Sequence, residues 1–366
     1  MTSALFSPIK LAGLELPNRI VVSPMCQYSA DDGSATDWHM MHLGMLANSG
    51  AGMVVVEATG VERGGRITHG CLGLYSDDNE SALTRIIQQC RLRGTTKFGI
   101  QLAHAGRKAS ANLPWDGATA LKNGGDPWPT VAASGLPFGE GWHIPAMAGD
   151  AEMARIRDAF VASAKRAVRI GFDSIELHMA HGYLLHSFMS PLSNTRNDGY
   201  GGPLANRMKF PIEVTRAVRA VVPKNIALGA RMTGSDWKDG GLTPDDAVAI
   251  AKALKEAGLD FVCISSGGLT ADTRTPTDPG YNVPIAEKVR KEAGIPVRVV
   301  GMIVTPKQAE GVVGQGKADM VTMARAFLDD PHWAWHAAKE LGADVPRPKQ
   351  YLRTGPKFWP PAAASA

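Results

Sequence analysis

The chain is short of the features that mark special environments. Its 366 residues include only four cysteines: Cys26, Cys71, Cys90 and Cys263. None forms a CxxC pair, so neither zinc nor an iron–sulfur cluster is expected, and no metal site. Four free thiols in a large chain suit a reducing compartment. The segment MTSALFSPIKLAGLELPNRI lacks a basic region followed by an apolar run, and no apolar stretch is long enough to span a bilayer. A cytoplasmic protein is the expectation. Charge of one sign is scarce as well: the formal net charge is +4, which points to neither nucleic acid nor membrane as partner. Hydrophobic residues make up 44% and charged residues 20%, an ordinary balance for a globular chain with a large core.

What is present is a rhythm. Short apolar runs recur at Ile20–Ser23, Met53–Glu57, Phe98–Leu102, Ser174–Leu177, Ala227–Arg231, Phe261–Ser265, Val297–Val300 and Met320–Met323. Continuous apolar runs of this length read as strands buried on both faces. Amphipathic segments lie between them. Ala151–Arg169 places Met153, Ile156, Phe160 and Ala164 on one helical face. Thr243 and Pro244 read as the cap and first residue of another helix, and Gly171, Gly258 and Gly294 as helix ends. Eight strands alternating with helices imply a parallel sheet. An open doubly wound sheet would show GxGxxG after its first strand, whereas here the strand ends in SPMCQY. An α/β fold of the (β/α)8 TIM-barrel class is therefore expected, as one domain over 1–366. A hairpin at Leu5–Pro17 would close its floor. The insertion after the third strand, Ala105–Gly149, would form a lid, and 342–366 a C-terminal tail.

In such a barrel the chemistry gathers at the C-terminal ends of the strands. Gly301 and the Ala324-Arg325 pair follow the last two strands, where backbone amides and a guanidinium can hold a phosphate. Gln101 and Arg231 can hydrogen-bond a polar ring nearer the axis, and a cation beside a flavin favours its anionic reduced form. The segment His178-Met179-Ala180-His181-Gly182-Tyr183 brings two imidazoles and a phenol together. Two imidazoles can polarise a carbonyl or nitro oxygen, and a phenol can protonate a carbon becoming an enolate. Those are the needs of conjugate reduction. His104 and Arg107 read as anchors of the lid, His39 and His42 as helix residues, and Glu57 and Glu176 as barrel-interior partners for basic groups.

Four segments carry a resemblance. They are Ser23–Gly33 (SPMCQYSADDG), Ala103–Ser110 (AHAGRKAS), His178–Arg207 and Val321–Trp333. In these the chain resembles the Old Yellow Enzyme family of FMN-dependent ene-reductases and xenobiotic reductases, in the bacterial branch with an active-site cysteine. The resemblance implies FMN as cofactor and NADPH or NADH as transient donor. It implies that Ser23, Pro24, Met25, Cys26, Ala58, Gln101 and Arg231 contact the flavin, and that Gly301, Ala324 and Arg325 hold its phosphate. His178 and His181 would bind the activating group of an α,β-unsaturated aldehyde, ketone, imide or nitro compound, with Tyr183 as proton donor and Tyr28 touching substrate. His181 stands where the yeast-like branch has Asn. Cys26 would tune the flavin. Arg353, in QYLR, would reach the site of a neighbouring subunit, which implies a homodimer or homotetramer. The alternative enzyme reading is oxidation of a small hydroxy acid in a similar barrel. It wants a His base after a late strand and paired arginines, which the sequence does not supply. A barrel that merely stores flavin is disfavoured by Tyr183 beside two imidazoles.

Overall fold

The computed structural model describes residues 3–355 together with Phe358 and Trp359. Two strands, β1 (Ile9–Leu11) and β2 (Leu14–Leu16), form an antiparallel hairpin with Ile9 opposite Leu16 and Leu11 opposite Leu14. Eight parallel strands follow: β3 (Ile20–Val22), β4 (Met53–Gly60), β5 (Lys97–Ala103), β8 (Ser174–Met179), β9 (Ala227–Thr233), β10 (Phe261–Ser265), β11 (Val297–Val299) and β12 (Met320–Met323). Each pairs with the next in the chain, and β12 pairs with β3, so the barrel closes. Between β5 and the next barrel strand lie the two-residue strands β6 (Val131–Ala132) and β7 (Ala146–Met147), which pair with each other. All eight expected strands are present, and the closed barrel bears out the expected class.

The helices are α1 (Asp37–Leu46), α2 (Asp77–Arg93), α3 (Asp150–Ile170), α4 (Leu184–Met189), α5 (Leu204–Arg207), α6 (Lys209–Arg219), α7 (Pro244–Glu256), α8 (Val283–Ala293), α9 (Pro306–Gly314), α10 (Arg325–Asp329) and α11 (Trp333–Glu340). Helix α3 buries Met153, Ile156, Phe160 and Ala164, as its periodicity requires. Thr243 caps α7 by accepting from the Asp246 amide, with Pro244 as the first helical residue. Gly171, Gly258 and Gly294 end their helices at positive φ. Among the described residues no helix is long and apolar enough to cross a membrane.

The hairpin is a plug. Leu11, Leu14 and Leu16 pack with Val21, Met53, Val55, Ala227, Phe261 and Met320, the inward residues at the lower barrel end. Phe261 fills that floor so closely that a Cβ on Gly229 would lie 2.3 Å from its ring. Higher in the barrel a charge pair crosses the interior. Glu176 of β8 and Arg298 of β11 are both buried and in contact, and Gln101 Nε2 donates to Glu176 Oε1 at 2.8 Å. The other expected interior acid, Glu57, faces α1 instead: it lies 3.2 Å from His39 Nε2 and accepts from the Gln27 amide at 3.0 Å. Both carboxylates are structural partners, but only Glu176 lies inside the barrel, as expected of both; Glu57 sits between strand and helix. Arg107 donates to Leu136 O and Pro137 O in the insertion, both at 3.2 Å, and to Leu269 O at 2.6 Å. His104 Nε2 lies 3.0 Å from Glu62 Oε1. Both residues thus anchor loops, and Arg107 ties the insertion to the loop after β10.

Candidate active site

The upper barrel end is built by short extensions of the strands. After β3 the chain runs through Pro24, Met25, Cys26 and Tyr28. Gln27 fixes this run by donating its amide to Glu57. A register shift in β4 falls between Val56 and Ala58, and beyond it Ala58 pairs with Gln101 of β5. Ser23 turns its hydroxyl to Thr322 Oγ1 at 2.8 Å, so its side chain ties β3 to β12. Tyr28 is at φ +52°, and its ring meets Trp115 of the insertion edge-on at 5.8 Å.

One cavity of about 510 Å³ is lined by His181, Arg231, Ser265, Gly301, Met302, Ala324 and Arg325, among others. It therefore joins the expected phosphate corner to the expected substrate side. Gly301 is at φ +139°, a conformation for glycine alone, and an added Cβ would crowd Asn282 and Tyr281 at 3.0 Å. The Arg325 guanidinium has a weak neighbour, Met302 Sδ at 3.4 Å, and is otherwise available to an anion. Arg231 donates from Nη2 to Ser265 Oγ at 3.2 Å, while its buried Nε has no partner. An unpartnered buried guanidinium N–H is costly unless a ligand accepts from it. Gln101 commits its amide nitrogen to Glu176, which leaves its oxygen for a ring donor. The donor set, the glycine cradle and the orphaned Arg231 Nε together fit FMN.

His178, the penultimate residue of β8, and His181 stand edge to face at 5.1 Å, and His178 meets the Tyr183 ring at 4.8 Å. Tyr183 and Ala58 also line one small crevice. His178 Nδ1 accepts from the Ala180 amide at 3.3 Å, so the neutral ring carries its proton on Nε2. His181 Nε2 lies 2.7 Å from Ser265 Oγ, the hydroxyl that also accepts from Arg231. Burial, reinforced by the Arg231 charge, holds both imidazoles well below the ordinary histidine pKa. Burial pushes the Tyr183 phenol well above its usual value and raises that of Tyr28 as well. The Cys26 thiol is also pushed well up, chiefly by its hydrogen bond with Cys71 and then by burial. Cys26 is thus a thiol at neutral pH, not a thiolate.

Sequence reading missed two neighbours of this cluster. Lys108 Nζ donates to His181 O at 2.8 Å and Gly268 O at 3.0 Å, and lies 4.3 Å from the Phe138 ring and 5.1 Å from that of Tyr183. It lies within the AHAGRKAS segment, so the segment flagged it, but its residue type reads as solvated. Trp115 had no signal, because its contact depends on how the insertion folds. Arg353 is the expected site residue that the chain does not bring in. It lies in a six-residue 3-10 helix, Lys349–Thr354, whose Tyr351 packs on Trp335 of α11. Trp335 in turn lies against Gly50, just before β4, at the opposite end of the barrel.

Comparison with known proteins agrees with this geometry. Residues 4–344 match the NADH:flavin oxidoreductase / NADH oxidase family. The NADPH dehydrogenase of Geobacillus thermodenitrificans is 43% identical over 355 residues, covering 96% of this chain and 99% of that protein. Among solved structures, morphinone reductase superposes with a TM-score of 0.77 at 24% identity, covering 95% of this chain and 92% of the other. A 2-naphthoyl-CoA reductase complex gives 0.81 at 22% identity, and there this chain covers 92% of itself but spans only about half, 52%, of the larger protein. The chain belongs to the NADH:flavin oxidoreductase / NADH oxidase family, of Old Yellow Enzyme type, and is an FMN-dependent oxidoreductase with a nicotinamide electron donor.

Proposed function

We propose that the chain reduces activated C=C bonds of α,β-unsaturated aldehydes, ketones, imides or nitro compounds. FMN, which Gln101, Arg231, Gly301, Ala324 and Arg325 would hold, would supply hydride-transfer chemistry with NADPH or NADH as the donor. The chain's own residues do the rest. His178 and His181, both neutral, offer N–H donors to the carbonyl or nitro oxygen and draw electron density from the β carbon. Tyr183 stays protonated and gives its phenol proton to the α carbon as the β carbon receives hydride. Solvent then restores the phenol. Tyr28, beside Trp115, would close the substrate side, and the Cys26 thiol would tune the flavin. The carrying observation is a phenol held protonated, 4.8 Å from the neutral His178 imidazole, which itself lies 5.1 Å from His181 on the wall of the phosphate cavity.

The test separates the two half-reactions. In Tyr183→Phe the rate at which 2-cyclohexenone oxidises the reduced enzyme should fall by about 10²-fold, the scale of one general acid. Reduction by NADPH should stay within about twofold. Equal losses in both would remove Tyr183 as the proton donor. A protein that bound no FMN would remove the reading altogether.

A further inference from the structure

Behind the turn that presents His181 and Tyr183 stands a second histidine that the reaction does not touch. His181 is at φ +62° and Gly182 at φ +77°, so two successive residues are left-handed. A non-glycine residue holds that conformation only when its surroundings over-determine it. Gly182 has no room to relax, since a Cβ on it would lie 2.5 Å from Gly268 O. From α4, His186 Nδ1 accepts the Gly182 amide at 2.8 Å. His186 Nε2 lies 2.9 Å from Asp236 Oδ1, and both side chains are fully buried. The other carboxylate oxygen, Asp236 Oδ2, accepts from Ser190 Oγ and from the Leu242 amide, each at 2.7 Å.

The donors settle the protons. A backbone N–H can only donate, so Nδ1 of His186 must be bare and the ring proton must sit on Nε2, facing Asp236. Asp236 then accepts from Ser190 and Leu242 through Oδ2 and turns Oδ1 to the His186 N–H at 2.9 Å. Only a carboxylate suits all three neighbours. Burial disfavours that charge, but the facing His186 ring and the hydrogen bonds outweigh it and hold the Asp236 pKa below the usual value. An amide in its place must turn its NH2 either to the Leu242 N–H, a clash, or to His186. The second choice drives the ring proton to Nδ1, where it opposes the Gly182 N–H.

We propose that Asp236 and His186 are positioning residues, which fix the His186 tautomer and thereby lock the His181-Gly182 turn that aims His181 and Tyr183. The proposal rests on the ene-reduction reading for its activity readout, but its central claim is read without substrate. On the wild-type holoenzyme, 15N chemical shifts of the His186 ring should show the proton on Nε2. A proton on Nδ1 overturns the proposal, whatever the substrate proves to be. In kinetics, Asp236→Asn and His186→Leu should each slow oxidation of the reduced holoenzyme by 2-cyclohexenone about 10-fold or more, as loss of a supporting partner does. Oxidation by dissolved oxygen needs neither His181 nor Tyr183 and should stay within about twofold. His186→Gln offers an oxygen to Gly182 and an NH2 to Asp236, so it should retain enone oxidation within about threefold of wild type. Equal enone rates in the Gln and Leu variants, or parallel losses with enone and oxygen, would show that the pair merely supports the fold.

Discussion

At the residue scale the site works by withholding charge. Burial leaves His178 and His181 neutral and Tyr183 protonated, so none of the three titrates across the neutral range. Lys108 is the exception. Burial, with Arg107 beside it, brings its ammonium down to about 7. A lysine pulled down is charged below that value and neutral above it. The charge lies beside the Tyr183 ring and the His181 carbonyl, where it favours an oxygen becoming enolate-like. The rate of enone reduction in single turnovers should therefore rise as pH falls through about 7. In Lys108→Gln that inflection should vanish, while the rate stays flat from about 7 to about 9 because Tyr183 keeps its proton. A profile unchanged by Lys108→Gln would assign the inflection elsewhere.

At the element scale the alternation of apolar runs carried the barrel, its floor hairpin and the capped ends of α3 and α7. What it lost were the places where long-range partners override local pattern. The run beginning at Met53 stops in sequence at a charged residue, Glu57. In the structure β4 continues to Gly60, with the Glu57 carboxylate facing His39 of α1 and accepting from the Gln27 amide. Glu176 was legible as an interior acid, but its partners Gln101 and Arg298 were not, and the His186–Asp236 pair was hidden altogether, since each joins strands or loops far apart in sequence. Within the insertion the pairing of β6 with β7 spans too few residues to leave a periodic signal. The hairpin allows a test at this scale. Leu14 is buried in the barrel floor, remote from every residue of the cavity. Leu14→Ala should cost about 2–5 kcal/mol, read as a lower thermal midpoint. FMN affinity should not change, because the plug and the ligand occupy opposite barrel ends. A parallel loss of FMN affinity would show that the floor supports the site directly.

For the whole molecule, one face of α1 and the tail leave apolar side chains in water. Trp38, Met41 and Met45 are 47%, 64% and 40% exposed on α1, and Leu352 and Trp359 are 56% and 57% exposed beyond α11. Apolar side chains grouped on one helix face favour cover by another molecule. The α1 face adjoins the substrate side, because Trp38 Nε1 donates to Gln27 Oε1 at 3.0 Å, between Cys26 and Tyr28. The tail of the same chain lies at the other barrel end. A neighbouring copy that seats its tail on this α1 face would bring Arg353 to Tyr28, an arrangement its own chain does not allow. We therefore propose a homodimer or homotetramer that shares Arg353 between subunits. Sedimentation should give a multiple of the 38.9 kDa chain mass. Arg353→Ala should raise the KM for cyclohexenone about fivefold to tenfold, with NADPH reduction of the flavin unaffected, as loss of one charged contact to substrate does. Met41→Glu, which places a carboxylate in the covered face, should weaken the assembly and raise the same KM in wild-type tails. A monomeric mass, or a KM indifferent to both changes, would leave each site complete within its own chain.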